Sequence, residues 1–164
     1  MTYGSAENGL IGQPIAETST TLKHRLGDRF KCSDDTYGPG EFIYLAGVAS
    51  TAVGSWVTFN QDDYTTALLA ANAIGPVAIA MSANTAATSY GWYQIYGKAV
   101  GAVLTGFADN GNAYATATAG SVDDAIVAGD LVKNAKGASA IGTPSAGLAE
   151  FEIQYPFMDD GLTA

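Results

Sequence analysis

The segment from Tyr90 to Gly97 constrains the fold more than any other part of the chain. It holds four aromatic residues within seven positions. Side chains alternate between the two faces of a strand, so large apolar groups fall on both faces here. Such a strand cannot have one side in water, and it is either a core strand or one with a face against another subunit. The predicted faces are Tyr90, Trp92, Gln94 and Tyr96 on one side, and Tyr93 and Ile95 on the other.

From residue 41 onward the sequence pattern predicts short strands separated by turns. Its strand candidates are rich in β-branched, aromatic and small residues, and Gly, Asn and Asp lie between them. Two Ala-rich runs, 64–73 and 99–107, suit either a helix or a strand, and we predict mainly strand for both. The fold class is therefore mainly β. The other predicted strands are 41–49, 55–59, 76–81, 98–105, 113–118 and 149–155, and 128–132 is predicted to be a turn that leads into a strand. In the last strand Ala149, Phe151, Ile153 and Tyr155 are predicted to point inward, and Pro156 ends it.

Residues 1–40 look like an N-terminal arm. Glycines and Pro14 interrupt any regular element, and the apolar residues are too sparse to offset the ordering entropy. The segment also carries four of the seven basic residues. From residue 32 onward the chain has only three basic residues and thirteen acidic ones. The basic group is either a solvated turn or a contact with an acidic partner surface. It consists of Lys23, Arg25, Arg29 and Lys31.

The composition bounds the classes of function. The net charge of −9 argues against general binding of nucleic acid. No run approaches the ~18 apolar residues of a membrane span, and no secretory leader is recognisable, so we expect a soluble protein made in the cytoplasm. The single cysteine, Cys32, rules out an intrachain disulfide.

We find no pattern of catalytic residues and predict no enzyme activity, no metal site and no cofactor. The single histidine, His24, lies in the predicted arm, where no catalytic set can be assembled around it. Paired aspartates could act as acid and base in a glycosidase or bind calcium, but in turns they more often cap loops. These pairs are Asp34/Asp35, Asp62/Asp63, Asp123/Asp124 and Asp159/Asp160.

Several segments carry a resemblance to a known family. Residues 41–51 followed by 53–57, and 75–81 leading to 90–99, resemble the tailed-bacteriophage capsid decoration (cement) proteins of the lambda-like head decoration class. The segments 119–124 and 128–130 fit the same pattern. The resemblance implies a small β-tulip-like barrel with an extended N-terminal arm. It also implies a homotrimer on the outer surface of the virion, bound to the major capsid protein.

We predict an arm at 1–40, a body at 41–158 and a tail at 159–164, and the long arm and the tail depart from the shortest members of the family. The four basic residues of the arm would contact the capsid. An alternative from another class is a carbohydrate-binding module of a phage fibre or surface protein, with Trp56, Trp92 and Tyr96 stacking on sugars. A glycosidase that uses the aspartate pairs ranks third. The predicted core or oligomer residues are Trp56, Tyr90, Trp92, Tyr93 and Tyr96.

Overall fold

The computed structural model describes residues 12–86 and 89–159, which form strands and turns with no helix. The predicted mainly-β class is confirmed. All strands of this part of the chain belong to one antiparallel sheet, which runs β2-β3-β7-β6-β11-β10-β8-β9 without closing, with β1 on β7 and β4 between β5 and β6. The strands are β1 Thr18–Ser19, β2 Arg29–Asp34, β3 Gly38–Ala46, β4 Trp56–Phe59, β5 Thr66–Leu68, β6 Ile74–Ala80, β7 Tyr90–Ala102, β8 Asn112–Ala115, β9 Val122–Asp123, β10 Leu131–Gly137 and β11 Leu148–Asp159.

The aromatic segment begins the longest strand, β7, which also includes most of the run predicted as a separate strand at 98–105. A bulge interrupts β7, because Tyr96 lies opposite Glu41 while Gln94 lies opposite the next residue of β3. The Gln94 side-chain amide bridges the bulge by donating to the carbonyls of Tyr96 and Lys98, at 3.1 and 3.0 Å. Such a bulge bends the strand and re-aims the side chains that follow it.

Both faces of the first half of β7 are buried within the single chain, so this segment is a core strand. Trp92 packs in one cluster with Phe42 and Tyr44. Tyr93 and Ile95 pack on the opposite face against residues of β3, β4 and β6. The largest cluster lies farther along the sheet, beneath β8, β10 and β11. In it Trp56 meets the ring of Phe151 edge-on, with centroids 4.9 Å apart.

Residues 12–27, which we call the strap, cover the Trp92 face of the sheet. Ile15 is buried there, and β1 pairs with the start of β7. The next strand, β2, pairs with β3 along its whole length. The described part of the predicted arm thus packs on the body, and the predicted boundary at residue 40 falls inside the β2–β3 hairpin. The prediction missed this because it counted the few apolar residues of the segment and overlooked the aromatic face that they cover. Residues 1–11 lie outside the described residues.

The last strand differs from its prediction at Pro156, which does not end it. Alternation holds through Ile153, but Tyr155 was predicted to point inward and is 47% exposed, with a left-handed φ of 51°. The partner of β11 changes here, from β7 up to Gln154 to β6 from Phe157 onward. Pro156 sits in this gap, where no ladder bond needs its missing N–H. Residues 160–164 of the predicted tail lie outside the described residues.

Candidate binding surface

A nearly buried carboxylate, that of Glu41, organises the most polar cluster on the sheet. Lys31 is its direct cross-strand neighbour from β2, and its ammonium lies 3.4 Å from Glu41 Oε2. Arg29 Nη1 lies 3.6 Å from Glu41 Oε1. The Tyr155 hydroxyl, from β11, donates to Oε2 at 2.8 Å. Together with Tyr96 these residues form what we call the Glu41 cluster.

Two tyrosine rings stand on the surface beside this carboxylate. The centroids of Tyr96 and Tyr155 are 5.5 Å apart, and both rings are partly exposed. The Arg29 guanidinium lies 6.0 Å from the centre of the Tyr155 ring. The hydrogen bond to Glu41 raises the pKa of Tyr155, because ionisation would set a phenolate against a carboxylate. The rings are therefore held in place on one wall of a groove of ≈ 550 Å³, whose other walls come from β2 and β3.

Exposed apolar side chains continue from this groove along the sheet. Phe157 lies two residues beyond Tyr155, is 40% exposed and lines a small groove together with Tyr155. Phe157 and the strongly exposed Ile74 line an adjoining groove of ≈ 520 Å³. Tyr96, Tyr155, Phe157 and Ile74 form what we call the aromatic row. A contiguous exposed apolar surface on a soluble protein is a common mark of an interaction site.

The four basic residues predicted to contact a capsid do not act as one group. Arg29 and Lys31 belong to the Glu41 cluster. Arg25 lies in the strap, 3.7 Å from Asp28, and the backbone N–H of Lys23 donates to the Tyr44 hydroxyl.

The aromatic residues predicted for the core or an oligomer interface differ in their burial. Trp56, Trp92 and Tyr93 are buried, and Tyr90 is half-buried against the Trp92 cluster. The two tryptophans are thus unavailable to stack on a sugar, and only Tyr96 of the proposed platform is exposed. Tyr155 is a further residue of this surface, and the sequence pattern did not predict it. The signal that could have found it is Pro156, since a proline within a strand marks an edge or an irregularity.

The candidate catalytic groups are engaged in structural contacts. The ring of His24 packs 5.2 Å from those of Tyr44 and Trp92. Burial, with a smaller effect from the charge of Asp34, raises the pKa of the Cys32 thiol to about 11, so it is a poor nucleophile at neutral pH.

The aspartate pairs that the structure describes behave as turn caps. Asp34 accepts from the backbone N–H groups of Thr36 and Tyr37. Hydrogen bonds from Thr65 lower the pKa of Asp63. Asp124 accepts from the backbone of Ala108. Within the described ranges, no group of three or more histidine, cysteine, aspartate or glutamate residues is placed to hold a metal ion.

No protein-family model matches the chain, and neither a curated protein nor a solved structure matches it. Among the residues with described structure, no helix has the length and apolar character needed to cross a bilayer.

Proposed function

We propose that this chain is a structural capsid decoration protein that binds the outside of a phage head. In this proposal its β body corresponds to the β-tulip-like barrel of the family that its sequence resembles. Three copies form a trimer, and each contacts the major capsid protein across capsomer boundaries. The protein is made in the host cytoplasm and ends on the outer surface of the virion.

The observation that carries the proposal is the aromatic row beside the Glu41 cluster. Tyrosine, phenylalanine and arginine are enriched where proteins bind one another. Here Tyr96, Tyr155 and Phe157 are exposed side by side on a strongly acidic chain, next to Arg29. The remaining conspicuous side chains, such as Trp92 and Cys32, serve the core. This distribution supports a role in protein binding rather than in chemistry.

A decoration role fits the energetics of such a surface. A modest interface suffices when it is repeated over a shell, because each copy of a trimer reinforces the binding of the others. The shell gains interface area across capsomer boundaries, which resists the outward pressure of packaged DNA.

A carbohydrate-binding module stays the second candidate, on one specific observation. The Tyr96–Tyr155 pair stands beside the carboxylate of Glu41 in a groove, and aromatic rings with nearby polar groups are a common arrangement for holding a sugar. This site differs from the one that the sequence predicts, which relied on the buried Trp56 and Trp92.

Co-sedimentation with capsids separates the two candidates. Expanded heads are assembled from the major capsid protein whose gene lies nearest to that of this chain, and are mixed with the full chain. The decoration proposal predicts saturable pelleting with the heads and no binding to a glycan array. Binding to glycans without pelleting would favour the carbohydrate-binding module.

A further inference from the structure

We propose that the Glu41 cluster is where the chain holds an exposed carboxylate side chain of its protein partner, while apolar neighbours of that carboxylate rest on the aromatic row. This inference rests on the proposed decoration function and adds the contact site and the chemistry of the partner. It places the main contact with the partner on the sheet surface formed by β2, β3, β7 and β11, instead of on a free N-terminal arm.

The local charge favours an anionic occupant. Arg29 and Lys31 share the single carboxylate of Glu41, which leaves one unbalanced positive charge in a chain of net charge −9. The nearby carboxylate of Asp34 is turned into its own hairpin, where it accepts two backbone N–H groups. Lys98, from the same stretch of β7 as Tyr96, is held by Glu150 at 2.9 Å. The exposed carboxylate of Glu152 lines a separate groove beyond Tyr96, with Lys98. Within the groove of the Glu41 cluster the surplus positive charge therefore lies on Arg29 and Lys31.

The two cations also retain donors for a second carboxylate. The side chain of Glu41 is only 6% exposed, whereas those of Arg29 and Lys31 are 52% and 77% exposed. Both contacts with Glu41, at 3.6 and 3.4 Å, are longer than the ~2.7–2.9 Å of a full charge-assisted hydrogen bond. An arginine has five N–H donors and a lysine three, so most of these donors stay available.

The neighbouring rings supply the apolar half of the contact. The hydroxyl of Tyr155 is fixed by Glu41, so this ring has already lost much of its rotational freedom before a partner arrives. Tyr96 packs against it, and Phe157 extends the surface by one more ring. A carboxylate flanked by an apolar side chain on a loop of the partner matches this pairing of cations and aromatic rings.

A different protein suits the site better than a second copy of this chain. If this face met the same face of a second copy, the surplus positive charge of Arg29 and Lys31 would lie against the same two cations of the other copy. The occupant is therefore an acidic loop of the shell protein rather than the same face of a second copy.

Substitutions of opposite electrostatic sign test the inference in the pelleting assay. We expect Lys31→Glu and Arg29→Glu to weaken binding to heads by ~10-fold or more at low ionic strength, with a smaller loss at high salt. Glu41→Gln keeps an oxygen that can accept from Tyr155 but removes the competing negative charge, so we expect it to tighten binding several-fold. A purely structural role would predict the reverse for Glu41→Gln. Tyr155→Ala should weaken binding at all salt concentrations.

The matched control is Lys136→Glu, which makes the same change in net charge at an exposed lysine on β10 whose partner is Asn112. It should leave binding within about 2-fold, and thermal melting should show that every variant is folded. Unaltered pelleting of the Arg29, Lys31 and Tyr155 variants would overturn the inference alone. A change of oligomeric state in Lys31→Glu, with pelleting intact, would also overturn it and make this face an interface between copies. No pelleting of the unmodified chain would overturn the decoration proposal together with the inference.

Discussion

The indole N–H of Trp92 donates to the backbone carbonyl of Gln13 at 3.1 Å, although 79 residues separate the two along the chain. The Gln13 side chain adds three bonds of its own. It accepts from the Tyr44 hydroxyl at 2.6 Å and donates to the carbonyls of Tyr90 and Glu17, at 3.0 and 2.8 Å. One residue of the strap thus satisfies polar groups on two neighbouring strands, in a place where leaving them unpaired would be costly. The strap is an integral layer of the fold.

Truncation of Trp92 tests the importance of this layer. We expect Trp92→Ala to lower the free energy of unfolding by ~3–5 kcal/mol, since it empties the centre of a buried cluster and leaves the Gln13 carbonyl unpaired. Urea unfolding measures the change. Tyr96→Ala, which truncates an exposed aromatic residue on the same strand, is the control and should cost about 1 kcal/mol. Equal effects of the two substitutions would contradict the burial of Trp92.

A free arm could be deleted without loss of the folded body, but the packing of the strap and β2 predicts that removal of residues 1–40 disrupts the fold. The deletion eliminates β2 and uncovers the Trp92 face, so we expect loss of cooperative thermal unfolding and aggregation on size exclusion. Deletion of residues 1–11, which leaves the whole strap in place, is the control and should leave the melting transition cooperative. A monodisperse, cooperatively unfolding chain 41–164 would show that the strap and β2 are dispensable.

Substitutions at Gly97 and Gly106 can distinguish the cost of backbone strain from the cost of a steric clash, because the two glycines have almost the same backbone conformation. Gly97 and Gly106 have φ of 101° and 104°, but a side chain at Gly97 would collide with the backbone carbonyl of Pro39, whereas one at Gly106 meets open space. We expect Gly106→Ala to cost ~1–2 kcal/mol of folding free energy from the left-handed backbone alone. Gly97→Ala should cost ~1–3 kcal/mol more, because strands β3 and β7 must move apart. Denaturant unfolding compares the two, and equal losses would contradict this close approach of the strands.

Alkaline pH should destabilise the fold. Burial raises the pKa values of Cys32, Tyr44 and Tyr93 above those of the unfolded chain, to about 11 for Cys32. The stability from keeping these groups protonated is fully present below their unfolded pKa values, ~8.5 for the thiol and ~10 for the phenols, and is lost as pH rises through the folded values. The urea midpoint should therefore fall from pH 8.5 to pH 11.

Cys32→Ala provides the control for this pH dependence. It removes one of the raised groups, so the fall in the urea midpoint should begin at a higher pH than in the unmodified chain. A midpoint that stays constant from pH 8.5 to pH 11 would contradict the burial of these groups.

The sequence predicts the class of the fold and its aromatic centre because strand alternation is a local property. Burial of Trp92 on one face of β7 and Tyr93 on the other follows directly from their adjacency. The strap and the exposed Tyr155 could not be predicted in the same way. The strap depends on contacts such as Trp92 with Gln13, which no local pattern encodes. The side chain of Tyr155 is exposed because this residue has a left-handed φ at the place where β11 changes its partner strand. That change of partner is a property of the whole sheet.

The candidate binding surface likewise contains contacts between neighbours in the sequence and contacts between distant residues. The pairing of Lys31 with Glu41 is a local contact, because the two residues lie opposite each other in the β2–β3 hairpin, whose turn is formed by residues 35–37. The arrival of Tyr155 at Glu41 joins residues 114 positions apart. The cations of the surface are therefore predictable from the sequence, whereas the carboxylate that pairs with them and the tyrosine ring beside it are not.

The most direct test of the decoration proposal is a cryo-electron microscopy map of expanded heads incubated with the full chain. The proposal predicts added density on the outer surface at the three-fold and quasi-three-fold positions, three copies to a position, with the β body folded and the face of Arg29 and Tyr155 against the major capsid protein. Heads that remain bare at saturating concentrations of a folded chain would contradict it.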